Sequence, residues 1–305
     1  MPESTDQLYF VVTKNGTTYV RNLKGALVPF VSVKNQPKPI KMETPNRPAL
    51  KGEDDKWEKL FPGFSRLSKG QQEDFKKQMR AMDDKSWEYW TKPLASLGNK
   101  SRSQSYKFPM NCKENDNTSL NFGALRDKAT KTTKDDTSHA GIDIYGNGGK
   151  ASRDGNAEVR AATTGTIVFI GPKGYVPGTE AQHVQVVNDD GSIINYGEIV
   201  PENLKVGMRV SAGQTLGKTA KLIKQSMLHI EIYEGSQSRN GKTSAQAAEE
   251  AKKAYESGEK TDGTNFVTNI SEEPSYTGGN KYNGNPFKRS KDLMNPTPFA
   301  ALACS

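Results

Sequence analysis

Cysteine is nearly absent from this chain, with only Cys112 and Cys304 among 305 residues. Two thiols so far apart in sequence exclude a cysteine-based metal cluster and a disulfide-rich scaffold. They leave open two unrelated thiols or one bridge tying the C-terminal tail to the segment around 112, which would suit an oxidising periplasm. Long apolar runs are missing as well, since none approaches the ~20 residues needed to cross a bilayer. The opening MPESTDQLYFVVTKNG lacks the basic, apolar and small-residue succession of a secretory leader. These absences point to synthesis in the cytoplasm, no transmembrane segment, and export, if any, by a non-Sec route. Aromatic residues make up 8% of the chain and nowhere interleave with a basic strip. Nucleic acid is therefore not an expected partner.

What is present is a chain long enough for one sizeable core with additions, or for two modest domains. Its 28 glycines and 16 prolines, with 33% hydrophobic residues, describe a loop-rich protein rather than a helical bundle. A net charge of +8 favours a polyanionic neighbour such as an acidic cell wall or an anionic membrane surface.

Residues 8–12 and 17–21 flank Lys14-Asn15-Gly16, and Asn-Gly between β-rich runs predicts a hairpin, with a third strand in 26–33. Pro37, Pro39, Pro45 and Pro48 turn residues 34–53 into a linker or extended strap. Ser68-x-x-Gln71, followed by Phe75, Met79 and Met82, predicts a capped helix over 69–84 whose apolar stripe is packing surface. Trp57, Trp87 and Trp90 around it are core or a docking patch. Beyond Tyr106 the texture changes to short alternating runs: VRAAT, GTIVFIG, HVQVVNDDG, SIINYGEI, LKVGMRV, LGKTA and MLHIEIY. Such spacing predicts a mainly β fold, an antiparallel sheet or sandwich, beside a small α+β N-terminal region. The expected division is 1–105 for that region, a candidate docking module, and 106–305 for the main domain. A polar surface insertion falls at about 236–284, helical over Thr243 to Tyr255.

Two of the three histidines fall in segments that carry chemistry. His139-Ala140-Gly141-Ile142-Asp143 is a His-x-x-x-Asp spacing, with Gly141 supplying backbone freedom for a turn that brings both side chains to one ion. In Met227-Leu228-His229-Ile230-Glu231 the imidazole alternates with apolar residues, so one strand face carries His229. Two imidazoles and a carboxylate form the ligand set of a catalytic zinc site with an open fourth position. Glu231 suits an outer role, accepting the other N–H of a metal-bound histidine, or a surface ion pair. His183 opens a predicted strand and faces either the cleft, as a catalytic imidazole, or solvent.

Over Phe108 to Tyr233 the chain resembles the lysostaphin/LytM-type zinc metallopeptidases, which cut peptide cross-links in bacterial cell walls. Beyond the two histidine segments, Asn121-Phe122-Gly123-Ala124-Leu125-Arg126 is similar to the family's Phe-Gly-x-Arg lead-in, and Val206 to Gly217 is similar to its Val-Gly-x-x-Val-x-x-Gly-Gln-x-Ile-Gly hairpin. The resemblance implies a zinc peptidase acting on peptidoglycan, with His139, Asp143 and His229 as ligands. Arg126, Tyr145 and Tyr196 then become candidate substrate contacts or packing residues. Active relatives carry two further histidines, at the positions of Glu198 in Tyr196-Gly197-Glu198 and of Met227. Methionine can neither take a proton nor stabilise an oxyanion, but a glutamate beside a zinc site is a competent base.

Three functions compete. The leading expectation is a cross-link endopeptidase with Glu198 as general base, delivered as an antibacterial toxin by a contact-dependent, type VI-like secretion system. Its partners would be peptidoglycan, a secretion-apparatus carrier and a cognate immunity protein. The alternatives are an inactive zinc-containing module that binds peptidoglycan or regulates other wall enzymes, and a phage-associated wall hydrolase.

Overall fold

The computed structural model describes residues 11–14, 17–21, 27–29, 54–110, 122, 139–145, 155–222, 226–267, 281–282, 285–286 and 290–300. The Pro-rich strap, Arg126, Cys112 and Cys304 lie outside them. The chain divides into two units, 1–44 and 45–305. In the first, β1 (Val11–Lys14), β2 (Thr17–Arg21) and β3 (Leu27–Pro29) form an antiparallel meander. Its first pair closes at Lys14 opposite Thr17, so the tight hairpin follows the Asn-Gly signal.

The second unit is mainly β, an antiparallel sheet with a few helices. Four helices lead into it: α1 (Asp54–Leu60), α2 (Lys69–Ala81), α3 (Asp84–Thr91) and the single turn α4 (Arg102–Ser105). Ser68 caps α2 in the predicted box, its hydroxyl accepting from the Gln71 amide while the Gln71 side chain accepts from the Ser68 amide. Phe75 and Met79, four residues apart, bury the stripe against Trp57, Phe61 and Phe64. All three tryptophans are therefore packing residues, Trp57 and Trp90 fully buried and Trp87 against their core. That core also contains Val159, Tyr196 and Ile230 from the sheet, so the expected division at 105 falls inside one hydrophobic cluster.

A buried ionic clamp joins the helices to the sheet. The Arg102 guanidinium donates to Asp190 at 2.6 Å and stacks over the Tyr89 ring, and the Tyr106 hydroxyl donates to the same carboxylate. Such a buried pair is tolerated because every lone pair of Asp190 has a donor, Ser192 supplying two more.

Among the described residues nine strands make the sheet. They are β4 (Ile142–Ile144), β5 (Glu158–Arg160), β6 (Gly165–Ile170), β7 (Gln182–Asn188), β8 (Ile193–Pro201), β9 (Arg209–Val210), β10 (Thr215–Thr219), β11 (Leu228–Tyr233) and, after the insertion, β14 (Leu293–Met294). At the end of the insertion β12 (Lys281–Tyr282) and β13 (Asn285–Pro286), which lies just past it, form a separate pair. The central order is β6, β7, β8, β11, with β4 and β14 sharing the far edge of β11. Val184, Val186, Ile194, Ile230 and Ile142 point into the core with the helices, which leaves the opposite face to the residues between them.

The helix predicted in the insertion is α5 (Ser244–Ser257), capped by a Thr243–Gln246 box and closed by left-handed Gly258. It does not lie free on the surface. Ala247, Ala251 and Ala254 bury against Val168, Val187 and Ile193, so α5 covers the outer face of the sheet with a stripe of small residues. The approach is close enough that a Cβ on Gly207, whose φ is +87°, would stand 2.2 Å from the Ala251 carbonyl oxygen. No helix among the described residues is long and apolar enough to cross a membrane.

Gly207→Ala should lower stability by about 2 kcal/mol or more, through clash and left-handed strain together. Chemical denaturation would show it as a reduced midpoint, with Ser68→Ala, a lost cap of about 1 kcal/mol, as the milder comparison.

Candidate metal centre

Strand pairing assembles the site. In the register of β11 with β4, His229 stands opposite Asp143, and in that of β11 with β8 it stands opposite Gly197. His139 enters from the segment just ahead of β4. The three donor atoms form a nearly equilateral triangle: His229 Nδ1 to Asp143 Oδ1 is 2.9 Å, His139 Nε2 to His229 Nδ1 is 3.2 Å, and His139 Nε2 to Asp143 Oδ1 is 3.3 Å. Metal–donor bonds of ~2.0–2.1 Å in tetrahedral array put neighbouring donors roughly 3.3 Å apart, so the triangle has the size of a zinc ion. His139, Asp143 and His229 are the group among the described residues able to hold a metal, and all three are buried.

The hydrogen-bonding geometry also suits a cation. Glu231 Oε1 lies 3.0 Å from His229 Nε2 and, as a carboxylate, fixes a proton there. In a neutral ring Nδ1 then turns its lone pair toward the Asp143 oxygen and the His139 nitrogen, a cluster of donors that a metal ion, or a proton shared among the three, would satisfy. Without metal the proton takes that place. Burial opposes charge on His229, but hydrogen bonds to Asp143 and Glu231 outweigh it and raise its pKa to about 9. Burial likewise opposes ionisation of Asp143, and the bonds from His139 and His229 overcome it and hold the carboxyl far below its usual range.

Gly141 serves the site differently from the sequence expectation. Its φ is not in the left-handed region. It is needed because a Cβ there would stand 2.3 Å from the Ile230 carbonyl oxygen and 2.8 Å from His229 Cε1. The bare backbone lets the ring of His229 lie flat against the neighbouring segment.

Glu198 is the extra residue of a β-bulge. Gln182 pairs with Ile199 and His183 with Gly197, leaving Glu198 over, with φ +63°. Bulges redirect side chains and gather beside active sites. This one sits one residue beyond the position opposite His229, and Glu198 is half-buried there with its Oε2 out of solvent. Met227 just precedes β11 and packs with Tyr175, Val176 and Val200 on a small cluster of Ala181, Ala220 and Leu222.

The other candidates fall elsewhere. His183 shares the sheet face and the row of His229, but Gly197 stands between them, and a two-strand offset is roughly 9–10 Å. Its ring is buried between Phe169 and Tyr175 at centroid distances of 5.2 and 4.8 Å, a packed position rather than a place in the triad. Tyr196 faces the core, and its hydroxyl accepts the Ala162 amide at 2.8 Å, so the phenol that looked like a substrate contact is a strut. Tyr145 is buried as well. Two residues escaped the sequence reading. Tyr175 lies over Gly197, where a Cβ would be 3.3 Å from its Cε1, and Asn195 donates from Nδ2 to Glu231 at 3.4 Å. The signal for Asn195 was a polar residue inside the apolar run of β8, but its partner is visible only once the register is known.

Residues 137–241 match the profile described as Peptidase family M23. This stretch is similar to the M23 peptidases. It holds every member of the triad. Solved structures similar to the chain include the antimicrobial peptidase lysostaphin from Staphylococcus simulans, 21% identical at a TM-score of 0.32, with 48% of this chain and 56% of that chain covered. A SpoIIIAH–SpoIIQ complex is 22% identical at 0.33, covering 42% and 92%, and a zinc containing peptidase from Vibrio cholerae is 15% identical at 0.33, covering 44% and 38%. The chain thus spans little more than half of the lysostaphin it resembles. Similarities this loose carry no activity, substrate or partner across. No curated protein matches the chain.

Because His229 has a raised pKa, its contribution to metal-free stability is fully present below about 6.5 and is lost as pH rises through about 9. Asp143, with a lowered pKa, contributes in the opposite sense, its share lost only in strong acid. Urea midpoints in chelator should therefore fall between pH 6.5 and 9.5, and in His229→Gln this fall should vanish.

Proposed function

We propose that the M23 region is a zinc-dependent peptidoglycan endopeptidase, with His139, Asp143 and His229 holding the ion and Glu198 acting as general base. The observation that carries the reading is the donor triangle, two imidazole nitrogens and a carboxylate oxygen 2.9–3.3 Å apart on one sheet face. Zinc, when bound, would polarise the scissile carbonyl and activate water for attack. The chain's own residues do the rest. Asp143 brings the negative charge that favours a dication, and Glu231 holds His229 with its Nδ1 lone pair toward it. Gly197 stands opposite His229 with the Tyr175 ring over it, and Glu198 follows directly on the bulge, one residue from the row of the triad. A carboxylate there can take the proton of the attacking water and return it to the leaving amine.

Net charge supports an anionic envelope as the target. The same reading extends to an antibacterial effector, carried by a contact-dependent, type VI-like apparatus and countered by an immunity protein. Directed to the periplasm of a test cell, the wild type should lyse it and His229→Ala should not.

A second reading, a module that holds zinc and wall fragments without cleaving them, is favoured by one feature. Met227 is engaged in apolar packing where active relatives carry a second histidine.

Digestion of purified sacculi separates the two. An endopeptidase should release uncross-linked muropeptides in a zinc-dependent way, with Glu198→Ala slower by ~10²–10⁴-fold and His229→Ala inert. Binding to sacculi by zinc-loaded wild type with no fragments released would establish the module instead.

A further inference from the structure

Behind the triad runs a second polar row, one step along the same sheet face. In register it reads Gln185 on β7, Asn195 on β8 and Glu231 on β11. None of the three has measurable exposure. Three adjacent polar side chains in the middle of a sheet, where the flanking row is Val187, Ile193 and Tyr233, need a reason. Glu231 supplies it: one carboxylate oxygen faces His229 Nε2, while the other accepts the Tyr233 hydroxyl at 2.7 Å and the Asn195 amide at 3.4 Å. Asn195 Oδ1 and both polar atoms of the Gln185 amide have no hydrogen-bond partner among the described residues. Buried amides are rarely left so. Side chains directly opposite across a strand pair start ~5 Å apart, so each is within the other's reach, directly or through one ordered water.

We propose that Tyr233, Asn195 and Gln185 form a positioning network that locks the Glu231 carboxylate against His229 and so dictates which imidazole nitrogen is presented to the metal. Tyr233 and Asn195 saturate the far oxygen of Glu231, preventing the carboxylate from rotating away. Gln185, opposite Asn195 in register but not bonded to it, would through one bridging water hold the Asn195 carbonyl away from Glu231 and so keep the N–H₂ toward the carboxylate. The three act through Glu231 and touch neither ion nor substrate. The inference rests on the metal reading above for its consequence, but not for its geometry.

Tyr233→Phe, Asn195→Leu and Gln185→Met test it in the full-length protein, with melting curves to confirm folding. Zinc affinity, measured by competition with a chromogenic chelator, should weaken ~10-fold in the first two and by a smaller factor in Gln185→Met. In NMR, the Nε2 proton of His229 should exchange slowly in wild type, with or without zinc, and rapidly in Asn195→Leu and Tyr233→Phe. Tyr233→Phe removes a single oxygen, so the result does not depend on Asn195→Leu folding. Unchanged affinity and unchanged exchange in folded Tyr233→Phe would overturn the proposal. Wild type that shows the protected proton yet binds no zinc would remove the metal reading and leave the network standing.

Discussion

One imidazole gripped between two carboxylates organises this molecule. His229 gives Nε2–H to Glu231 and turns Nδ1 to Asp143, and each partner is brought by a different strand relation. Glu231 is two residues along the same strand, whereas Asp143 is opposite on β4. A one-residue slip of β4 against β11 would send Asp143 to the hydrophobic face and put Ile142 or Ile144 beside the imidazole. The register is protected from that slip by the burial of both isoleucines in the main core, so the hydrophobic packing of one face enforces the chemistry of the other.

That division of labour between faces runs through the sheet. The inner face packs the helices with valine, isoleucine and Tyr196. The outer face passes from an apolar end, covered by α5, through the Gln185–Asn195–Glu231 row to the triad. Glycine marks the places where the polar face has to be thin. Gly141 admits the His229 ring and Gly197 admits Tyr175, both without left-handed backbone, so at these positions glycine is used for lack of volume rather than for conformational freedom.

Glu198, on β8, and Met227, just ahead of β11, take different structural parts. Methionine joins an apolar wall with Tyr175 and Val176, and glutamate occupies a bulge whose strained φ its neighbours sustain. A left-handed glutamate costs ~1–3 kcal/mol, which surrounding structure has to offset.

Much of this was legible in the residues alone. The capping boxes at Ser68 and Thr243, the Asn-Gly hairpin and the alternation of the strands depend on local spacing, which sequence records directly, while the two halves of the triad were legible as short segments whose meeting across β4 and β11 was not. The packed roles of Tyr196 and His183, the docking of α5, the volume requirement at Gly141 and the network through Asn195 were decided only by tertiary structure. Each depends on which residue stands opposite across a strand pair or beneath a helix. The energy that selects that register is the burial of a whole apolar face, a sum over residues distant in sequence that no short motif contains.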